Sequence, residues 1–321
     1  MRRRISPYLT MAIAVVAVFS SVAPAEEEPV AAAREVFARE QKSVVWVSAV
    51  MKMRAGGGLG AMMGRQEQKV ESVGTVIDES GLTVLSYSVL DPSALLNAAM
   101  QNAGGGVAEG ENKIEFKTEL SGVKIRMADG TEVPAKLVLR DDDLDLAFVM
   151  PTQPGKKFPH LNLTAAGNAP EVKPLDLLIV LWRLGQSLDR QPAVAISRVS
   201  AVVSKPRTFY LCSGVESLGT PAFTADGKPL GIVVMRKQGL DAGSGNFMSM
   251  MSSGGISPII VPAADVAEVA QQALAKKDTP PAADAPPTDP PAVHDAPAPA
   301  RRGTTPQKPP TDAPPKQPGN R

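Results

Sequence analysis

Short apolar segments rich in β-branched residues, separated by turn residues, follow one another along most of the chain. Residues 73–77 and 82–85 flank an Asp-Glu-Ser-Gly turn at 78–81 and predict a β-hairpin. Many short strands at this spacing are typical of an all-β barrel or sandwich. The other predicted strands are residues 43–50, 123–127, 133–139, 145–150, 177–182, 194–203, 208–211, 222–224, 230–235 and 256–261.

Two helical segments bracket the predicted strands. Residues 31–42 form a short predicted helix ahead of the first strand, and residues 262–275 form an amphipathic helix that begins at a proline. A further helical turn or two is expected within residues 92–101. We therefore expect one folded domain over residues 31–277.

The first 25 residues have the pattern of a secretory signal peptide. Arginines at positions 2–4 precede an apolar run at 9–19, and Ala23-Pro24-Ala25 supplies the small residues of a cleavage site. The run is short for a membrane-spanning helix, so we expect cleavage after residue 25 and no stable membrane span thereafter. An uncleaved anchor helix is the alternative. The sequence thus predicts an exported protein, periplasmic or extracellular.

The chain changes character at residue 278. The segment 278–321 carries roughly half of the 30 prolines of the chain, mixed with Ala, Asp, Thr and Lys. It has too few apolar side chains to offset the conformational entropy lost on folding. It therefore predicts a disordered, proline-rich tail. A spacer is the default role, and a segment that contacts the cell wall or a ligand for a partner are the alternatives.

Composition excludes some classes of partner and cross-link. The formal net charge is +1, from 34 basic and 33 acidic residues, which gives no reason to expect nucleic acid as a partner. Cys212 is the only cysteine, so no internal disulfide can form. We expect Cys212 to be a small buried apolar residue rather than a nucleophile. Hydrophobic residues make up 43% of the chain, enough for a sizeable core.

Three segments, taken in order, resemble the trypsin-like domain of the HtrA/Deg family of serine proteases. They are residues 71–90 (ESVGTVIDESGLTVLSYSVL), 122–147 (GVKIRMADGTEVPAKLVLRDDDLDLA) and 216–232 (ESLGTPAFTADGKPLGI). Residues 174–185 and 259–266 are similar to two further parts of that domain. The resemblance covers about residues 40–276 and implies a trypsin-like double β-barrel, without the PDZ domain that usually follows it in the family.

The resemblance also implies which residues stand at the catalytic positions. The family's histidine, aspartate and serine correspond to Ser88, Asp145 and Leu218. Serine hydrolysis needs a hydroxyl nucleophile, a base and an oxyanion pocket. A leucine cannot attack a carbonyl group, and a serine cannot take up a proton near neutral pH. In the oxyanion loop, Glu216 replaces a glycine, whereas Gly219 is retained.

Histidine is too scarce for the triad to be rebuilt elsewhere. The chain holds only His160 and His294, and neither precedes Asp145, as the histidine of this family precedes its aspartate. We expect His160 to be a surface or packing residue and His294 to lie in the disordered tail. A histidine-dependent triad is therefore nearly excluded.

Two other chemistries are open from the sequence. A lysine base with Ser213 or Ser217 as nucleophile would need a rearranged site, because no lysine stands at position 88 or beside it. The acidic run at 141–145 looks like a set of metal ligands, but consecutive carboxylates do not share one face. A solvated turn ahead of a strand is the simpler interpretation. We expect no cofactor and no bound metal.

The sequence therefore predicts an inactive trypsin-like homologue that binds a protein or peptide partner as a scaffold or regulator. Binding would use the barrel cleft or strand addition at an exposed edge. Methionine-rich loops at 61–63 and 248–251 offer adaptable apolar contacts or are simply flexible. A homo-oligomer is a further expectation. The alternatives are an active serine endopeptidase with an unconventional site, or an unrelated β-rich envelope-binding module.

Overall fold

The computed structural model describes the body of the chain. The described residues are 28–55, 66–102, 115–153, 155–166, 171–215, 217–237 and 256–276. The predicted signal peptide at 1–25 and the tail at 278–321 lie outside them, as do Glu216, His294 and both methionine-rich loops.

Strands make up most of the regular structure. The helices are α1 (Glu28–Glu40), the single turn α2 (Tyr87–Leu90), α3 (Ser93–Asn102) and α4 (Ala263–Ala275). Two 3₁₀ turns lie at Leu163–Ala166 and Gln186–Leu188. The strands are β1 (Val44–Ala55), β2 (Gln66–Val76), β3 (Thr83–Ser86), β4 (Phe116–Arg126), β5 (Glu132–Asp141), β6 (Leu146–Pro151), β7 (Leu177–Arg183), β8 (Pro192–Val203), β9 (Phe209–Cys212), β10 (Pro221–Thr224), β11 (Pro229–Lys237) and β12 (Ile256–Pro262).

The strands form two closed antiparallel barrels of six strands each. Around the first barrel the order is β1-β2-β3-β6-β5-β4, and around the second it is β7-β8-β9-β12-β11-β10. The two orders are identical once β7 is counted as the first strand of its barrel. The predicted fold class, an all-β double barrel with a short N-terminal helix and a C-terminal helix, is thereby confirmed.

The unbroken apolar runs of the sequence arise because many strands are buried on both faces. In β6, Ala147 and Val149 belong to a cluster made only by the first barrel and its adjoining segments. Leu146 and Phe148, which point the opposite way, belong to a larger cluster that also contains second-barrel residues. We call this larger cluster the seam. Strand β7 repeats the pattern, with Ile179 and Leu181 in the seam and Leu178 and Val180 in a second-barrel cluster.

The two terminal helices close the seam. Val36 of α1 and Val266 of α4 are fully buried members of it, on either side of the chain's strands in sequence. Helix α4 begins directly after Pro262, which lacks an amide hydrogen and so loses no helical hydrogen bond there. Within the described residues, no helix is long and apolar enough to span a lipid bilayer.

Some predicted boundaries differ from the structure. The strand expected to begin at residue 145 begins at Leu146, because Asp145 has φ 55°, which an extended strand does not allow. Helix α1 begins three residues earlier than expected. Strand β4 begins at Phe116 instead of residue 123, since it continues alongside the long strand β1.

Three strands of the first barrel extend beyond its closed part. β1 pairs with β2 as far as Met53↔Gln66 and with β4 as far as Ala55↔Phe116. β2 pairs with β3 only at Thr75 and Val76. Among the described strands, residues 66–74 of β2 therefore have a partner on one side only. We call this stretch the β2 edge.

Candidate functional site

The strand register brings the first two triad-equivalent positions together. β3 pairs with β6 so that Ser86 lies opposite Leu146, and the chain turns into α2 immediately after Ser86. The amide of Tyr87 donates to the Asp145 carbonyl oxygen at 2.9 Å, which fixes that turn beside Asp145. Ser88 in α2 is thereby held against the Asp145 side chain.

The Asp145 carboxylate is surrounded by hydrogen-bond donors. Its Oδ1 accepts hydrogen bonds from the Ser88 amide at 2.7 Å and from the Ser88 hydroxyl at 2.5 Å. Its Oδ2 accepts hydrogen bonds from the Ser86 hydroxyl and, at 2.9 Å, from the Met235 amide. Asp145 is 7% exposed, so these four donors replace most of its hydration.

This arrangement gives Asp145 a structural role that the sequence did not predict. We expected a solvated turn at 141–145, yet its last residue is buried and well bonded. Met235 belongs to β11 of the second barrel, so the carboxylate links the two barrels across 90 positions of sequence. The Ser88 hydroxyl donates a hydrogen bond to Asp145, whereas the imidazole expected of the family would also take a proton from the nucleophile.

Leu218 belongs to the packing of the second barrel. It is partly buried and contacts the apolar cluster that contains Cys212, Leu230 and Val233. A pocket of about 190 Å³ lies beside Ser88, Asp145 and second-barrel residues of β11 and β12, and Leu218 does not line it. Ser88 and Asp145 are therefore hydrogen-bonded to each other beside this pocket, and Leu218 lies outside its lining.

Gly219 is fixed against the first barrel. Its amide donates to the Val233 carbonyl at 2.7 Å, and its own carbonyl accepts a hydrogen bond from the Thr75 hydroxyl at 2.9 Å. Its φ is 78°, and a Cβ at this position would lie 2.1 Å from the Val73 carbonyl oxygen. Only glycine fits here. Since its amide is already paired, Gly219 offers no free donor to an oxyanion.

The other residues weighed as nucleophile or base are paired or remote. His160 is exposed, and its Nδ1 lies 3.1 Å from the Phe158 carbonyl oxygen. The Ser213 hydroxyl pairs with the Ser200 hydroxyl at 2.8 Å, and the Ser217 hydroxyl is directed to the Leu218 carbonyl oxygen at 3.4 Å.

Cys212 has the environment of a packing residue. It is 7% exposed, and burial raises the pKa of its thiol to about 11. A thiol with this pKa is protonated at neutral pH and is therefore a poor nucleophile. The prediction of a small buried apolar residue is confirmed.

The acidic run forms a turn. Asp141 Oδ1 accepts hydrogen bonds from the amides of Asp143 and Leu144, each at 3.0 Å. Asp142 and Asp143 are exposed, as expected of a solvated turn. Throughout the described ranges, no three His, Cys, Asp or Glu side chains are grouped closely enough to bind a metal ion.

Sequence reasoning missed two groups that define this site. Ser86 lies two residues before Ser88, and its position in an otherwise apolar strand was the available signal. The Met235 amide carries no sequence signal, because any residue would supply the same backbone donor.

Comparison with models of protein families gives no match, and comparison with curated proteins gives none either. The relation to the HtrA/Deg family therefore remains a prediction from the quoted segments, alongside a fold of the expected class.

Proposed function

We propose that this chain is an exported, catalytically inactive homologue of the trypsin-like HtrA proteases that binds polypeptides as a scaffold or regulatory protein. The proposal combines the sequence resemblance with the geometry around Asp145 and Leu218.

The setting of Asp145 is the observation that supports inactivity most directly. Both carboxylate oxygens accept hydrogen bonds from serine hydroxyls and backbone amides. The residue at the nucleophile position is a leucine packed on the second barrel. Triad chemistry needs an imidazole between an acid and a hydroxyl, whereas here the acid itself accepts hydrogen bonds from two serine hydroxyls.

The β2 edge is the surface that best suits binding of an extended polypeptide. Its outward backbone groups have no strand partner within the described residues, and an added strand would pair with them. The closed parts of both barrels have no such edge, because each strand there has a neighbour on either side. Strand addition is therefore directed to the accessible part of this edge, residues 67–71, because residues 72–74 are buried.

Active-site labelling tests the inactivity. Purified full chain is incubated with a fluorophosphonate probe, alongside trypsin as a positive control, and intact mass is measured. No adduct is expected on this chain. An adduct on any serine would instead support an active endopeptidase with an unconventional site.

Hydrogen exchange tests the binding mode. The full chain is mixed with an unfolded polypeptide of low net charge, and amide protection is followed by mass spectrometry. We expect slower exchange in residues 67–71 and no change in β6, which is buried and pairs with both β3 and β5. Binding that protects neither the β2 edge nor its neighbour β1 would rule out strand addition there.

Export is part of the same proposal. The basic start, apolar run and Ala23-Pro24-Ala25 site support it. N-terminal sequencing of the protein recovered from the cell envelope or the medium should begin at Glu26. A protein that retains Met1 and fractionates with the cytoplasm would contradict it.

A further inference from the structure

A basic groove lies on the surface where the β4–β5 turn faces the connection between β7 and β8. Two adjoining pockets, of about 550 Å³ and 530 Å³, form it and share the turn residues 127–129 together with Arg183, Gln191 and Pro192. None of its lining residues belongs to the pocket beside Ser88 and Asp145. The groove is therefore a separate surface.

The groove concentrates positive charge on a chain that is nearly neutral overall. Only two acidic residues, Asp129 and Asp189, line it. Three of its basic residues also pair with carboxylates outside the lining, namely Arg126 with Glu132, Lys157 with Glu79 and Arg190 with Glu71. Charges of one sign along a concave surface raise the local concentration of ligands that carry the opposite charge. Its basic residues are Lys42, Arg126, Lys156, Lys157, Arg183 and Arg190.

Arg183 provides a fixed charge at the floor of the groove. It is 8% exposed, and its guanidinium donates to the carbonyl oxygens of Val44, Arg190 and Gln41 at 2.5, 3.1 and 3.0 Å. Within the described part of the chain, no carboxylate lies within ion-pair distance of it. Carbonyl dipoles hold this charge in place without neutralising it.

Arg190 and Trp46 leave hydrogen-bond donors unused beside that charge. The Arg190 guanidinium lies 4.9 Å from the centroid of the Trp46 ring, and its Nη2 is 2.8 Å from the Glu71 carboxylate. Arg190 Nη1 and Trp46 Nε1 are buried and have no acceptor within the described residues. A buried donor without a partner raises the free energy of the unbound protein. A ligand whose acceptor shifts the Arg190 guanidinium off the Trp46 ring and accepts hydrogen bonds from both donors therefore binds more tightly.

We propose that this basic groove binds a carboxylate-rich, extended segment of a polypeptide partner. The carboxylates lie against Arg126, Arg190 and the lysines, and the aliphatic parts of the segment lie over the apolar lining of the second pocket, which includes Met127 and Pro159. This apolar lining and the two rim aspartates favour a polypeptide over the denser charge of a polyphosphate.

The inference rests on the proposed polypeptide binding for the class of ligand, but it assigns a different surface from the β2 edge. A fluorescein-labelled peptide of alternating Glu and Ala is the probe, and a Gln-Ala peptide of equal length is its control. Anisotropy on the purified full chain measures binding at low and at physiological ionic strength. The Trp182→Phe variant adds a second readout, because Trp46 is then the only tryptophan.

Matched charge reversals locate the binding. The groove variant carries Lys42→Glu, Arg126→Glu and Lys156→Glu, all at exposed positions. The control variant carries Lys117→Glu, Lys173→Glu and Lys228→Glu, which are exposed and outside the groove. Both variants change the net charge equally. We expect the groove variant to bind the acidic peptide about tenfold or more weakly, and the control variant to bind it unchanged.

Several results would overturn the inference. The acidic peptide could fail to bind, bind no better than the Gln-Ala peptide, or lose affinity equally in both variants. Tighter binding of a polyphosphate or an oligonucleotide at the groove would replace the polypeptide with another ligand. If the acidic peptide does not bind but the chain still binds a low-charge unfolded polypeptide, the proposed function stands and only this site is rejected. Conversely, a fluorophosphonate adduct would reject inactivity without affecting the groove.

Discussion

The two barrels share one strand order but contribute different groups where they meet. The first barrel supplies an acid and two hydroxyls, namely Asp145, Ser86 and Ser88. The second supplies the packed side chain of Leu218 and a backbone amide at Met235. Equal topology thus supports unequal chemistry, because the strand order does not determine which residues stand where the barrels meet.

The difference also separates two structural roles for residues at the predicted triad positions. Asp145 has donors from both barrels, so its charge stabilises their contact without any hydrolytic step. Leu218 stabilises one barrel only, through apolar contact. Asp145 therefore stabilises the contact between the barrels, and Leu218 stabilises the interior of the second barrel.

The largest effect should come from the glycine that touches both barrels. Gly219→Ala would combine a strained φ of 78° with a Cβ 2.1 Å from the Val73 carbonyl oxygen. We expect a loss of roughly 3 to 5 kcal/mol in the free energy of unfolding, measured by urea denaturation. Gly214→Ala is the matched control, since φ is 70° there and no atom lies within 4 Å of the added Cβ. It should lose about 1 kcal/mol, and equal losses in the two variants would show that the barrels are not in tight contact at Gly219.

The second effect tests the link through the carboxylate. In Asp145→Asn one oxygen becomes an NH₂ group, which would face a backbone amide or a hydroxyl that now donates to Asp145. We expect a loss of about 2 to 3 kcal/mol. Asp142→Asn, at an exposed position in the same turn, should change stability little. If both variants unfold at the same urea concentration as the unmodified chain, Asp145 does not hold the barrels together.

A third effect tests whether the interior of the second barrel is apolar. Burial raises the pKa of the Cys212 thiol from about 9 to about 11, so the folded state keeps a proton that the unfolded state loses first. The contribution is complete below pH 9 and is lost as the pH rises through 11, by roughly 2 kcal/mol. The stability difference between the unmodified chain and Cys212→Ala should shift by this amount between pH 8.5 and 11. A difference independent of pH would indicate a hydrated thiol.

The smallest effect concerns a variant that carries a histidine and a serine at the predicted triad positions. Leu218→Ser combined with Ser88→His returns two triad side chains, one from each barrel. It should cost about 1 kcal/mol of stability, from the lost contact of a half-buried leucine. We expect no measurable cleavage of casein, because Glu216 still occupies the position of the oxyanion glycine. Cleavage by this double variant would mean that the chain retains a competent oxyanion pocket.

Local sequence patterns predicted the strands and helices, and the resemblance to the HtrA/Deg domain predicted the double barrel. Residues 146–150 and 177–182 are unbroken apolar runs bounded by turns, and strands with both faces buried produce such runs. The helix at 262–275 was predicted from its apolar period and its proline. These are local signals, so neighbouring residues are enough to identify them.

The site was only partly predictable, because its contacts are distant in sequence. Asp145 was identified, but its bond to the Met235 amide depends on how the second barrel docks. The basic groove combines Arg126 with Arg190, which are far apart along the chain, although charge counts describe the chain as nearly neutral. The register of folded strands, rather than composition, decides such neighbours.

The cross-barrel bonds also have a consequence for the order in which the chain is completed during synthesis. The first barrel ends at Pro151, yet Asp145 and Thr75 take partners from Met235 and Gly219, which are translated much later. Until then the incomplete chain lacks the Met235 amide that donates to Asp145, and the apolar residues of its seam are exposed. Its sequence-distant contacts make completion slow, so we expect the nascent chain to need shielding by a chaperone until the second barrel has emerged.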